Sequence, residues 1–177
     1  GLPAPSFVAG HSLGEYSALV AAGVLDLSDA VRTVRARGLY MQEAVPVGTG
    51  AMAAVIGGEL KAIEDACAQA RGDETRNAQV CSVPNSNSPN QVVIAGSTEA
   101  VDRAIELLKG VAKRVIKLNV SAPFHCALMK PAQEKLGVHL ERLTFNEPQM
   151  PVVTNVDARV TTAPAELRDA LLRQVSS

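Results

Sequence analysis

In Gly10-His11-Ser12-Leu13-Gly14 a serine stands between two glycines at the spacing of a nucleophile elbow. Such an elbow is a sharp strand-to-helix turn that leaves a hydroxyl exposed, and its strain calls for small neighbours. The apolar residues before Ser12 and the helical pattern after it supply that context. The Leu13 N–H then falls in the first helical turn, where unpaired donors and the positive end of the dipole can hold an oxyanion. The competing reading is a glycine-rich turn that happens to carry a serine.

A nucleophilic serine needs a base, and the chain has three histidines. His11 adjoins Ser12 on a sharp turn, where neighbouring side chains diverge, so it is poorly placed. His139 falls at the edge of the apolar stripe Ala132, Leu136, Leu140, Leu143 and reads as a half-buried structural residue. His125 lies in the loop Ser121-Ala122-Pro123-Phe124-His125-Cys126 between a strand and a helix, where α/β folds place their chemistry. It follows Ser12 in chain order, as in hydrolase-like enzymes, and is the candidate base, with helix capping or packing as the alternative.

Arg37 is the third candidate. At ~100° per residue the apolar stripe of the second helix centres near Val34, and Arg37 lies about 60° from it, closer than Arg35 or Arg32. A guanidinium facing inward demands a planar anionic partner. That partner is either a protein carboxylate or a substrate carboxylate, which a bidentate fork would select.

The elements that must position these groups follow from the patterning. A short strand at 6–9 precedes a helix at 13–22 that stops at Gly23. A second helix runs from an Asp26 or Ser28 cap to about Ala44, with apolar positions at Leu27, Ala30, Val31, Val34, Met41 and Val45. Next come a strand at 51–56, a helix at 59–71, a strand near 78–83 and the turn-rich Pro84-Asn85-Ser86-Asn87-Ser88-Pro89-Asn90 region. A strand at 91–95, a helix at 98–109 and a strand at 113–119 complete a βαββαβ order, that of a ferredoxin-like unit. Beyond it lie a loop at 121–125, a helix to about Leu143, a strand at 151–156 and a helix from Pro164. The fold class is α/β. A large subdomain is expected from 1–48 and 120–177, with the ferredoxin-like subdomain at 49–119 inserted in it.

Composition narrows the function. With 47% hydrophobic and 20% charged residues the chain reads as globular, and 3% aromatics make its core aliphatic. A net charge of −1 without a basic block argues against a nucleic-acid partner. No apolar run nears the ~20 residues of a membrane span, so no membrane is expected. Cys67, Cys81 and Cys126 form an odd set without CxxC spacing, which fits a reducing cytoplasm better than a disulfide or zinc framework.

Four stretches in order, beginning Gly10-His11-Ser12, Arg37-Gly38-Leu39-Tyr40-Met41, Asn85-Ser86-Asn87-Ser88-Pro89 and Ser121-Ala122-Pro123-Phe124-His125, resemble the malonyl-CoA:acyl carrier protein transacylases of fatty acid synthesis. The resemblance runs through essentially the whole chain. It implies that Ser12 is acylated by malonyl-CoA, that His125 is its base and that Arg37 holds the malonyl carboxylate. Leu13 corresponds to an oxyanion donor and Met41 to a methionine beside the acyl pocket. Phe124 matches a bulky residue that excludes an α-methyl group. Asn85 and Asn87 match a segment at the cleft mouth, and with His11 they form the secondary site residues. The resemblance further implies a coenzyme A thioester as substrate, acyl carrier protein as partner, no cofactor, and a hydrolase-like large subdomain.

Family members begin with a Gly-Gln-Gly-Ser-Gln segment and end with further strands and a Gly-Pro-Gly segment, none of which occurs here. The chain therefore reads as an internal portion of such an enzyme, its hydrolase-like core incomplete. Two other readings stay open. A serine esterase or thioesterase would pass the acyl group to water, with Asp157 or Glu166 orienting the histidine. A non-catalytic remnant would do neither.

Overall fold

The computed structural model describes residues 5–72, 79–120 and 122–177. Contacts divide the chain into two compact units, Gly1–Tyr40 with Ala132–Val175 and Met41–Pro131 with Ser176–Ser177.

In the first unit, β1 (Val8–Ala9) leads into α1 (Leu13–Ala21), which ends at Gly23 with φ 76°, a conformation glycine adopts without strain. The helix α2 (Leu27–Glu43), whose residues up to Tyr40 belong to this unit, begins where the Asp26 carboxylate accepts from the backbone N–H of Ser28 at 2.8 Å. Later come α5 (Lys130–Leu140), β6 (Val152–Val153), β7 (Val160–Thr161) and α6 (Pro164–Arg173), which has proline in its first turn. The strands β1 and β6 pair in parallel, Val8 opposite Val152, and β7 joins β6 antiparallel. The strands expected at 6–9 and 151–156 are thus only two residues each, and the sequence reading missed β7. Too few alternating positions separate Val160 and Thr161 from their polar surroundings to register as a strand.

The second unit holds β2 (Gly50–Ile56), α3 (Leu60–Ala70), β3 (Cys81–Ser88), β4 (Gln91–Ser97), α4 (Thr98–Leu107) and β5 (Arg114–Lys117). They form a four-stranded antiparallel sheet in the order β3-β4-β2-β5. Side chains alternate across β2. Ala51, Ala53 and Val55 face a core with Ile63, Cys67, Val101 and Leu108 of the helical layer, while Met52 faces Val93, Ala95 and Cys126. With both faces covered, the strand is apolar nearly throughout, as its sequence is.

The turn-rich region at 84–90 is mostly strand. β3 continues to Ser88 with register shifts between Ser82 and Asn85 and between Ser86 and Ser88, and the turn is only Pro89-Asn90. Bulges absorb the proline and asparagines that would break a regular ladder. The expected start of this strand at 78 lies outside the described residues, as does residue 121 of the expected loop. A 3₁₀ turn at Ala127–Met129 precedes α5.

A Cβ at Gly96 would lie 1.9 Å from the Val80 carbonyl oxygen, and backbone cannot rotate away. Gly96→Ala should therefore destabilise by about 1–3 kcal/mol, whereas Gly38→Ala, on open helix surface, should stabilise by up to about 1 kcal/mol. Urea unfolding midpoints check the pair; equal shifts would contradict the packing.

Candidate active site at the serine turn

β1 and β6 run parallel, so the chain segments that follow them leave the same edge of the sheet. Ser12 follows one and Asn155 the other. Carboxyl edges of parallel strands are where α/β folds gather ligands. Ser12 adopts φ 51° and ψ −108°, a conformation an L-residue enters only when its surroundings impose it. Beside the local bond from the Glu15 N–H to the Ser12 carbonyl at 3.2 Å, two side chains from distant parts of the chain hold it. The Ser12 N–H donates to Asn155 Oδ1 at 2.7 Å, and Gln174 Nε2 donates to the Ser12 carbonyl at 3.1 Å.

The flanking glycines divide in role. A Cβ at Gly10 would fall 2.0 Å from the Gly14 carbonyl group, so the turn closes only because residue 10 has none. Gly14 was expected to be small for the same reason, yet among the described residues nothing lies within 4 Å of its Cβ position. Leu13 occupies the first position of α1, and its N–H is among the donors a helix leaves unpaired. His11 is exposed.

Arg37 is 7% exposed, while Arg32 and Arg35 are exposed. The buried positions of α2 in this unit are Ala30, Thr33 and Arg37. The inward face therefore centres on Arg37 rather than Val34; Leu27 and Val31, counted in the apolar stripe, are 64% and 61% exposed. The guanidinium spends both Nη2 hydrogens inside the unit, on Ser12 Oγ at 2.9 Å and Gln174 Oε1 at 3.0 Å. Its Nε is buried without a hydrogen-bond partner. Burial lowers the Arg37 pKa, and Tyr16 and Glu15 oppose that shift. Among the described residues no carboxylate forms an ion pair with it.

Beneath Ser12 lies Glu15, with no exposed surface. Its Oε1 accepts from the Asn155 N–H at 3.1 Å and its Oε2 from Gln174 Nε2 at 2.5 Å. Burial raises its pKa above the ordinary carboxylate value, against the lowering effect of these two donors and of Arg37. Next to it, burial raises the pKa of the Tyr16 phenol, whose oxygen has no hydrogen-bond partner.

Ser12, Leu13 and Arg37 thus come together in one unit, joined by Glu15, Asn155 and Gln174, which the sequence reading did not select. Two of these carried a signal. Glu15 shares the stripe of Ala18, Leu19 and Ala22, and Gln174 that of Leu167, Ala170 and Leu171, so each is a polar residue at an apolar position. Asn155 carried none, because asparagine is ordinary in a turn.

The remaining candidates belong to the other unit. His125 is half-buried with φ 58°, a second strained non-glycine residue. Phe124 packs against Met52, Val93, Ala95 and Cys126, and Met41 is 2% exposed. Asn87 is exposed near the end of β3; Asn85 pairs with Val93 in that strand, and its side chain lies outside the described atoms. In the first unit, Asp157 accepts two bonds from Arg173 at 2.8 and 2.6 Å, and Glu166 accepts from Thr161 Oγ1 at 2.5 Å. His139 Nε2 lies 3.1 Å from Thr33 Oγ1, a structural contact.

Gly10→Ala should cut labelling of Ser12 by a fluorophosphonate at least about tenfold, and Gly14→Ala should spare it. Peptide mass spectrometry reads both, and similar losses would contradict the assigned roles. Because the folded state binds the Glu15 proton more tightly than the unfolded chain, this group's contribution falls as pH rises from the ordinary glutamate value through the raised one. The difference in urea midpoint between the parent protein and Glu15→Gln should decline across that window; a flat difference would refute the raised pKa.

Comparison with known proteins places this site in a family. Residues 1–170 match the acyl transferase domain. The chain is 57% identical over 173 residues to the malonyl CoA-acyl carrier protein transacylase of Escherichia coli K12, covering 97% of this chain and 54% of that protein. It superposes with a TM-score of 0.94 on the acyl carrier protein S-malonyltransferase of Vibrio cholerae, at 54% identity, covering 99% of this chain and 56% of that one. A malonyl-transacylase solved in complex with a type II PKS acyl-carrier protein gives 0.93 at 52% identity, covering 99% and 55%. The chain spans about half the length of the curated relatives it matches. A match that takes in nearly all of its residues, on a fold superposable throughout, means that the chain belongs to the acyl transferase domain family.

Proposed function

We propose that the protein moves a malonyl group from coenzyme A to the pantetheine thiol of acyl carrier protein through a malonyl-Ser12 ester. The observation that carries this reading is the buried Arg37 guanidinium, 2.9 Å from Ser12 Oγ and with an unpartnered Nε. In a malonyl group a single methylene separates the carboxylate from the thioester carbonyl. A cation that holds the carboxylate must therefore stand within a few ångströms of the nucleophile, as Arg37 does, and its buried Nε–H has no acceptor within the protein.

In this mechanism His125 takes the Ser12 proton as Oγ attacks the thioester carbonyl, and the Leu13 N–H bonds the oxyanion. The C–S bond breaks and coenzyme A leaves as its thiol, taking the proton from His125. The carrier thiol then gives its proton to His125 and attacks the ester. Collapse transfers malonyl to sulfur and returns the proton to Ser12 Oγ. Met41 and Phe124 border the acyl group, Phe124 against an α-methyl substituent. His11, Asn85 and Asn87 flank the entrance. No cofactor takes part.

We infer that the unit with sheet order β3-β4-β2-β5 is a ferredoxin-like subdomain, at about 49–119, inserted in a hydrolase-like core from 1–48 and 120–177. The βαββαβ order and antiparallel sheet support this. The cytoplasm suits three buried free cysteines, and among the described residues no helix is long and apolar enough to cross a membrane.

Incubation with malonyl-CoA should add one malonyl group to the Ser12 peptide, and a following carrier protein should remove it as malonyl-carrier. Release of free malonate instead would favour a thioesterase, and an unlabelled Ser12 would overturn the transfer reading. Arg37→Ala should slow acylation by malonyl-CoA by about 10²-fold or more and acetyl-CoA far less, since only malonyl presents a carboxylate. Equal losses would remove Arg37 from the clamp.

A further inference from the structure

Glu15 is a fully buried carboxylate that the transfer chemistry does not use. It forms no ion pair with Arg37; the connection between them runs through the Gln174 amide. Both hydrogens of Gln174 Nε2 meet acceptors, Glu15 Oε2 at 2.5 Å and the Ser12 carbonyl at 3.1 Å. Its Oε1 meets a donor, Arg37 Nη2 at 3.0 Å. Turning this amide by half a rotation would set its oxygen against two acceptors and its NH₂ against a guanidinium. Only one sense of the amide satisfies every partner.

We propose that Glu15 is a positioning residue: as an acceptor-only group it fixes the sense of the Gln174 amide, and through it seats Arg37 on Ser12 Oγ. The second Glu15 oxygen holds the backbone N–H of Asn155, whose side chain takes the Ser12 N–H. One carboxylate thereby ties the nucleophile's backbone and the guanidinium into a single unit. If the malonyl-transfer reading holds, on which this consequence rests, Glu15 tunes the preference for a carboxylated acyl group without touching it.

Glu15→Gln tests this with almost no change of volume. The new NH₂ must face either the Asn155 N–H or the Gln174 NH₂, both donors, and the second conflict is relieved only by turning Gln174. NMR of the Arg37 guanidinium reads the outcome, its signal assigned by loss in Arg37→Lys. The seated fork should give resolved, slowly rotating Nη signals in the parent protein, and these should collapse to an averaged signal in Glu15→Gln. In parallel, the ratio of malonyl to acetyl loading on Ser12 should fall at least tenfold, a change that general loosening would not confine to one acyl group. Unchanged Arg37 signals in both a folded Glu15→Gln and a folded Glu15→Met, which offers Gln174 no acceptor, would overturn the proposal. Should either variant fail to fold, Gln174→Met removes the relay while sparing the Glu15 bond to Asn155. It must then free the Arg37 signals, and retained signals would likewise overturn the proposal. A parent protein that never loads malonyl would count against the transfer reading alone, because the Arg37 signals still decide the role of Glu15.

Discussion

The backbone of Ser12 is the constraint on which the site depends. At φ 51° and ψ −108° the residue sits where an L-amino acid is held only by its surroundings. The holding groups come from distant parts of the chain. Asn155 Oδ1 takes the Ser12 N–H and Gln174 Nε2 supports its carbonyl. Neither bond is local, so the turn exists only when β6 has docked beside β1 and the end of α6 has packed beneath α1.

The same requirement explains the buried charge. Glu15 and Arg37 each carry a desolvation penalty, visible in their opposite pKa shifts, and each is retained among hydrogen bonds rather than in a direct ion pair. Placing an amide between them keeps the guanidinium fork partly uncommitted. A direct carboxylate partner would have neutralised Arg37 and occupied the face that the malonyl reading needs. The network is built from an acceptor-only group, an amide of defined sense and a donor-only group, so each member constrains the next.

Elsewhere the structure follows simpler rules. The antiparallel sheet of the second unit is assembled from alternation: odd residues of β2 meet the helices, and Met52 meets the layer that contains Phe124 and Cys126. His125, between Phe124 and Cys126 in sequence, has a positive φ, so strained backbone carries both the candidate nucleophile and its candidate base. Bulges in β3 let Pro84 and its asparagine neighbours remain in a strand.

Much of this was legible in the residue order. Gly10 and Ser12 announced the turn, Gly23 and Pro164 marked helix boundaries, and helical periodicity alone turned Arg37 inward. The βαββαβ order emerged from alternation and turns. Local rules gave out where a residue's state depended on distant partners. The 84–90 region reads as a loop because its strand partner, β4, supplies the pairing that overrides its propensity. Leu27 and Val31 read as core, and the structure leaves them exposed. Composition, periodicity and motif spacing determined which residues could do chemistry and which elements would carry them, since those properties act over a few residues. Only the tertiary structure decided what holds Ser12, because Glu15, Asn155 and Gln174 meet across more than a hundred residues of chain and signal little of their partnership beforehand.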